Sequence, residues 1–202
     1  MPTTQFDSNV VTAFMSNHLP YRLLMLNSFI KRNQEGFFEN MEEEPEQFVI
    51  NCNVDLRTCC AESMQIAARV LLFFLGLKVK PTGPEVLQPR STEESEKRES
   101  DVFIEKLGGR IVDIQRVTEL CGRQAMLLLA KAYRCGSQAT AHLTYGTESI
   151  HRTRDVIDAV PHINRLFMNS ITEDQQEMVL DSQWIRPYPS IQGALRETIV
   201  KN

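Results

Sequence analysis

Between Ile66 and Leu77 the chain runs almost without a polar side chain, and this run closes a longer stripe with helical spacing. Leu56, Cys60, Met64, Ala67, Leu71 and Phe74 recur at three- and four-residue steps, so they share one face of an amphipathic helix read over 54–75. Gly76 follows at once, the residue that most readily takes the left-handed conformation ending a helix. A helix with so apolar a face has to be covered by other elements, which points to a helical bundle. The run falls well short of the roughly 20 apolar residues that span a bilayer. Arg69 lies within it and Lys78 follows it, so the segment reads as a core helix and no membrane span is expected.

Two further long helices fit the same pattern. Over 20–35, Pro20 suits a first turn, Ser16 or Asn17 is a candidate cap, and Leu23, Leu26, Phe29 and Ile30 repeat at helical steps. Over 110–134, Ile111, Ile114, Val117, Cys121, Ala125, Leu128 and Ala132 form one side, and Leu120, Leu127 and Leu129 widen it enough to touch more than one neighbour. In that reading Gly122 admits a close-packed helix and Gly136 ends the segment. Shorter elements surround these. Asp7 or Ser8 can cap a helix over 7–16, FVINCNV (48–54) alternates enough for a short strand, and Ser91 with Glu94 forms a capping-box pattern. Gly108-Gly109 predicts a turn between helices. Thr153 can cap a helix to Phe167 that Pro161 should break, and Thr172 with Gln175 makes a second capping box for a helix to about 181. The tail is read as an extended piece around Trp184 followed by a short helix. The expectation is an all-α, single-domain helical bundle over 1–202, with about five to seven helices, three of them long, and exposed connections near 33–48 and 76–90.

Composition narrows the function classes. With 22 basic and 26 acidic residues the net charge is -4, which gives no overall attraction to phosphate backbones or anionic lipid, so nucleic-acid and membrane partners are disfavoured. Five cysteines without an export signal suggest reduced thiols and a cytoplasmic protein. Cys52, Cys59 and Cys60 lack the paired spacing of a zinc site.

The densest cluster of potential chemistry is His142, His151 and His162. Glu148 and His151 form one Glu-x-x-His step, which can place both side chains on one helix face as weak metal-ligand candidates; a di-iron bundle uses two such steps and further carboxylates. Asp155 and Asp158 stand four residues from His151 and His162, where surface ion pairing accounts for them. No nucleophile elbow, phosphate loop or dinucleotide fingerprint is present, and no cofactor is expected.

In architecture alone the chain resembles small bundles of the HEPN type, many of them RNA-cutting toxins or defence proteins. Those carry Arg and His on one helix with four to six residues between them. Here Arg134 with His142 and Arg154 with His162 each have seven between, and Pro161 falls inside the second pair.

The expected function is a non-enzymatic bundle protein. It would act through association, as a homodimer or with a protein partner, or by binding a small apolar ligand in a pocket near Phe73, Phe74, Met126 and Leu129. The alternative is a HEPN-like RNA-processing or metal-dependent hydrolase with His142, His151, Arg154 and His162 as catalytic candidates.

Overall fold

Asp7 opens the fold by accepting the Asn9 N–H at 2.6 Å, capping helix α1 (Ser8–Ala13). The computed structural model describes residues 6–34, 47–80, 85–91, 102–141 and 147–200. Helix α1 does not stop before Pro20. It widens into a π-turn at Phe14–His18, where the Leu19 N–H reaches the Phe14 carbonyl, and continues as α2 (Leu19–Gln34). The Ser16 or Asn17 cap expected from sequence is thus replaced by a bulged continuous helix. A proline with no N–H is carried just past the widened turn, and burial of Met15, Leu19, Leu23 and Leu26 stabilises the whole rod.

Helix α3 (Gln47–Phe74) extends farther toward the N-terminus than its apolar stripe foretold and takes in FVINCNV, so the short strand expected there is helix. An isolated strand would have had no partner for its backbone groups, whereas a helix satisfies them internally. Gly76 ends the turn after α3 with φ +97°, as expected. The next stretch is not a plain loop: β1 (Leu77–Val79) pairs antiparallel with β2 (Leu87–Pro89), Leu77 opposite Pro89 and Val79 opposite Leu87. Leu77, Val79 and Leu87 are buried, which accounts for the hairpin's hold on the bundle. Connection residues 35–46 and Glu94 of the Ser91 capping pattern lie outside the described residues.

A 3₁₀ turn (Ile104–Leu107) follows and ends at Gly108 with φ +83°. Gly109 then packs so closely on the Ser170 carbonyl, 2.8 Å from where a Cβ would stand, that the expected tight turn is also a docking point. The long helix expected over 110–134 is divided. Residues 110–113 are extended, with the Val112 N–H bonded to the Leu75 carbonyl at 2.9 Å. Asp113 caps α4 (Ile114–Cys121) by accepting the Arg116 N–H at 2.7 Å. Gly122, at φ +79°, ends α4, and α5 (Ala125–Ala141) begins after the turn.

The two glycines of this region exchange their expected roles. Gly122 has nothing near its absent Cβ and serves as a helix stop, while Gly136 sits inside α5, where a Cβ would run into the Gln65 carbonyl and come within 2.6 Å of the Arg69 Cβ. Gly136 is therefore the close-approach residue between α5 and α3.

Helix α6 (Thr147–Met168) passes straight through Pro161. An internal proline costs about 3 kcal/mol. Burial of Val156, Val160, Ile163, Leu166 and Phe167 along the same helix, at about 1.5–3 kcal/mol for each large side chain, outweighs it. Pro161 itself is exposed, so water can occupy the place of its missing N–H. The capping box at Thr172 and Gln175 forms in both directions and starts α7 (Glu173–Leu180). After Trp184, α8 (Pro189–Glu197) closes the chain.

The result is an all-α bundle with a small hairpin. Helix α3 packs against α2, α5 and α6, and α5 also packs against α6. At the contact of α2 with α6, the buried amides of Asn27 and Asn164 donate to each other at 3.2 and 2.8 Å. No helix among the described residues is long and apolar enough to cross a membrane.

Candidate functional site

The residues singled out by the sequence fall only in part within the described structure. His142 lies outside the described residues, and Glu148 and His151 fall on α6 with side chains outside the described part. Arg154, with a side chain 79% exposed, is paired with Asp158 at 3.1 Å. Asp155 is paired with Lys131 at 3.1 Å. His162 is half-buried eight residues on, about 12 Å along the axis at the α-helical rise. Its main-chain carbonyl accepts a weak bond from the Cys121 thiol at 3.7 Å. Burial, and secondly the Arg165 guanidinium, hold the His162 imidazole below the usual histidine range. Among the described residues no three His, Cys, Asp or Glu side chains gather closely enough to hold a metal ion.

A different place has the shape of a site. A cavity of about 620 Å³ opens between the α1–α2 rod and α3. The π-turn supplies one wall: it stacks Phe14 and His18, four residues apart, with ring centroids 4.7 Å from each other, and both line the space. Tyr21 and Arg22 continue that wall one turn on. Opposite them, Arg69, Val70, Phe73 and Phe74 stand at one-, three- and four-residue steps on α3, so a single helix face presents them all. Val102, Phe103 and Tyr133 of α5 complete the lining.

The far wall is braced by Arg90, which follows β2. Its guanidinium lies 3.5 Å from the centroid of Phe103, donates to the Phe73 carbonyl at 3.1 Å and pairs with Glu105. Phe73 and Phe103 meet edge to face with centroids 5.6 Å apart. One buried arginine thereby ties the end of α3, the hairpin and the 3₁₀ turn together and fixes two aromatic rings of the cavity. At the other edge Tyr21 packs edge-on against Trp184 at 5.1 Å. Tyr21 and Val70 are 40% and 38% exposed, so the space opens at that side.

Neither a protein-family model, nor a curated protein, nor a solved structure matches the chain.

Of the pocket residues expected from sequence, Phe73 and Phe74 do line the cavity. Leu129 is fully buried in the core and Met126 packs near Thr118, so neither reaches it. Arg22, His18, Arg69, Phe103 and Tyr133 were not foreseen as a group. The one signal available was Arg69, a charge inside an otherwise apolar run that no exposed helix face required.

Proposed function

We propose that this chain is a non-enzymatic binding protein whose cavity between α2 and α3 takes a small, largely apolar ligand. The observation that carries the reading is the 620 Å³ space walled by Phe14, Tyr21, Phe73, Phe74 and Phe103. Its volume falls among those of small-molecule sites, about 300–1,000 Å³. Aromatic walls offer apolar area at low conformational cost and orient a flat or acyl body by its edges. The reading keeps the cytoplasmic setting expected from the cysteines; Cys59, Cys60, Cys121 and Cys135 are free thiols.

The chain contains its own reporter. Trp184 is the only tryptophan and meets Tyr21 edge-on at the cavity edge, so an occupant beside Tyr21 should change its emission. Titration with decanol is expected to give a saturable change that Val70→Phe, which narrows the space without adding a second tryptophan, weakens while leaving thermal unfolding cooperative. No saturable response to decanol or decanoate, in fluorescence or in calorimetry, would remove the reading.

Self-association is the second reading, supported by Ile111 and Leu127, which are exposed although both belong to the apolar side of the 110–134 pattern. Sedimentation at micromolar concentration tests it: a strict monomer ends it. The hydrolase alternative rests on His142, His151 and His162, and alanine substitutions that leave every hydrolytic activity unaltered would dismiss it.

A further inference from the structure

We infer that the ligand of the cavity is a flat, fused aromatic ring system, seated between the ring-bearing walls of the α1–α2 rod and α3, and not an acyl chain. This rests on the cavity reading above and names the class of ligand for it. Six of the twelve described lining residues are phenylalanine or tyrosine, and His18 adds another ring. Over the whole chain aromatic residues make up only 7%, so rings are concentrated here. They stand on both sides of the space, Phe14, His18 and Tyr21 on the rod and Phe73 and Phe74 on α3. A flat occupant would meet rings on both of its sides, and edge-to-face or offset contacts stabilise such pairs beyond the area they bury. An acyl chain gains only the area, and loses the freedom of its rotatable bonds on entry.

The rings are also held in place before any ligand arrives. Phe73 and Phe103 meet edge to face at 5.6 Å, and Phe14 and His18 lie 4.7 Å apart. Phe74 leans on the fully buried Phe167 at 6.2 Å, and Tyr21 meets Trp184 at 5.1 Å. Each of these lining rings thus has a ring partner that fixes its pose, which suits a rigid ligand with little freedom to lose. A quaternary ammonium is the other class that aromatic walls receive. Here the protein's own guanidinium groups already lie near three of the rings. Arg22 is 5.7 Å from the Tyr21 centroid, and Arg90 is 5.6 Å from that of Phe73 and 3.5 Å from that of Phe103. The attraction that a ligand cation would draw on is taken up at those rings, which sets the neutral aromatic ahead of it.

The test is calorimetric titration of the full chain with 2-naphthol, decahydro-2-naphthol, decanol and decyltrimethylammonium. The three alcohols share a carbon count and one hydroxyl, and differ in flatness and flexibility. 2-Naphthol is expected to bind at least about tenfold more tightly than decahydro-2-naphthol, the scale of one or two aromatic contacts. It should also bind more tightly than decanol, although decanol is the more apolar and should itself bind saturably. Phe14→Leu and Phe73→Leu, one from each wall, should each cut the preference for 2-naphthol over decahydro-2-naphthol by about threefold, the loss of one ring contact. If decanol binds but 2-naphthol does no better than decahydro-2-naphthol or decanol, the aromatic assignment is wrong and the cavity reading stands. If decyltrimethylammonium outbinds 2-naphthol, the rings form a cation cage and the inference falls. If 2-naphthol is preferred but neither substitution alters that preference, the ring system sits elsewhere and the inference falls. No response to decanol or decanoate ends the cavity reading, and this inference with it. Thermal unfolding of each variant separates a lost site from a lost fold.

Discussion

The guanidinium of Arg90 stacks 3.5 Å from the centroid of the Phe103 ring, and its own side chain is only 2% exposed. A cation so deeply placed survives because the ring face, the Glu105 carboxylate and the Phe73 carbonyl receive it together. Removing it should therefore do more than remove one ion pair. Arg90→Met is expected to destabilise the fold by about 2–4 kcal/mol, since Glu105 is left largely buried without its partner. Arg90→Lys should recover less than half, because an ammonium cannot stack and fork in the same pose. Urea unfolding measures both, and a loss below about 0.5 kcal/mol for Arg90→Met, the range of surface substitutions, would show that the brace carries no weight.

The paired amides of Asn27 and Asn164 set α2 against α6 in one register. Replacing either alone with Leu strands a buried amide and should cost about 1–3 kcal/mol. Replacing both is expected to cost clearly less than the two single losses added together. Strict additivity in the double-mutant cycle would mean the amides act independently of each other.

Three glycines should respond in three ways to alanine. Gly136→Ala drives a methyl group into the Gln65 backbone between α5 and α3 and should lose about 1–3 kcal/mol through overpacking. Gly122→Ala meets no neighbour but must hold φ +79° with ψ 161°, a backbone region almost confined to glycine, at a cost of about 1–3 kcal/mol. Gly193, inside α8 with nothing within 4 Å, should gain about 0.5–1 kcal/mol from the same change. Melting curves of the three variants give the order, and a stabilised Gly136→Ala would contradict the packing described.

Two titrations around Arg165 give stability opposite slopes at the two ends of the pH range. Burial first and Arg165 second lower the pKa of His162 from 6.5, so below that pH the unfolded chain takes up a proton more readily than the folded one. Stability should fall as pH drops from 6.5 through the folded value, and His162→Gln should flatten that slope. Burial pushes the Cys121 thiol from 9.0 up to about 11, against the opposing pull of Arg165. Its contribution is complete below pH 9.0 and is lost as pH rises toward about 11, so Cys121→Ala should reduce the alkaline loss. Denaturant midpoints across pH, with and without each substitution, check both signs.

What could be read without a structure was local. The stop at Gly76, the turn at Gly108-Gly109 and the capping box of Thr172 with Gln175 each depend on residues within four positions, and all three stand in the fold. The apolar stripe of α3 was legible for the same reason, since helical periodicity needs no neighbour. Phe73 and Phe74 could be assigned to a pocket from that stripe, but its other walls could not.

Tertiary packing decided the rest. Proline, glycine and short alternating segments carry only weak local preferences, a few kcal/mol at most, and burial elsewhere on the same element overrides them. Pro161 stays helical because α6 buries Val156, Val160, Ile163, Leu166, Phe167 and Met168; Gly136 stays helical because α3 lies against it, and Gly122 turns because nothing does. The cavity belongs to this second class. Phe14, Arg69, Phe103 and Tyr133 share one space although they are spread over 120 residues of chain, from 14 to 133. No periodicity or motif registers that meeting, because it is set by how α2, α3 and α5 pack and by where Arg90 holds the wall. Helical character was thus written in the order of the residues, whereas the site arose only where the helices meet.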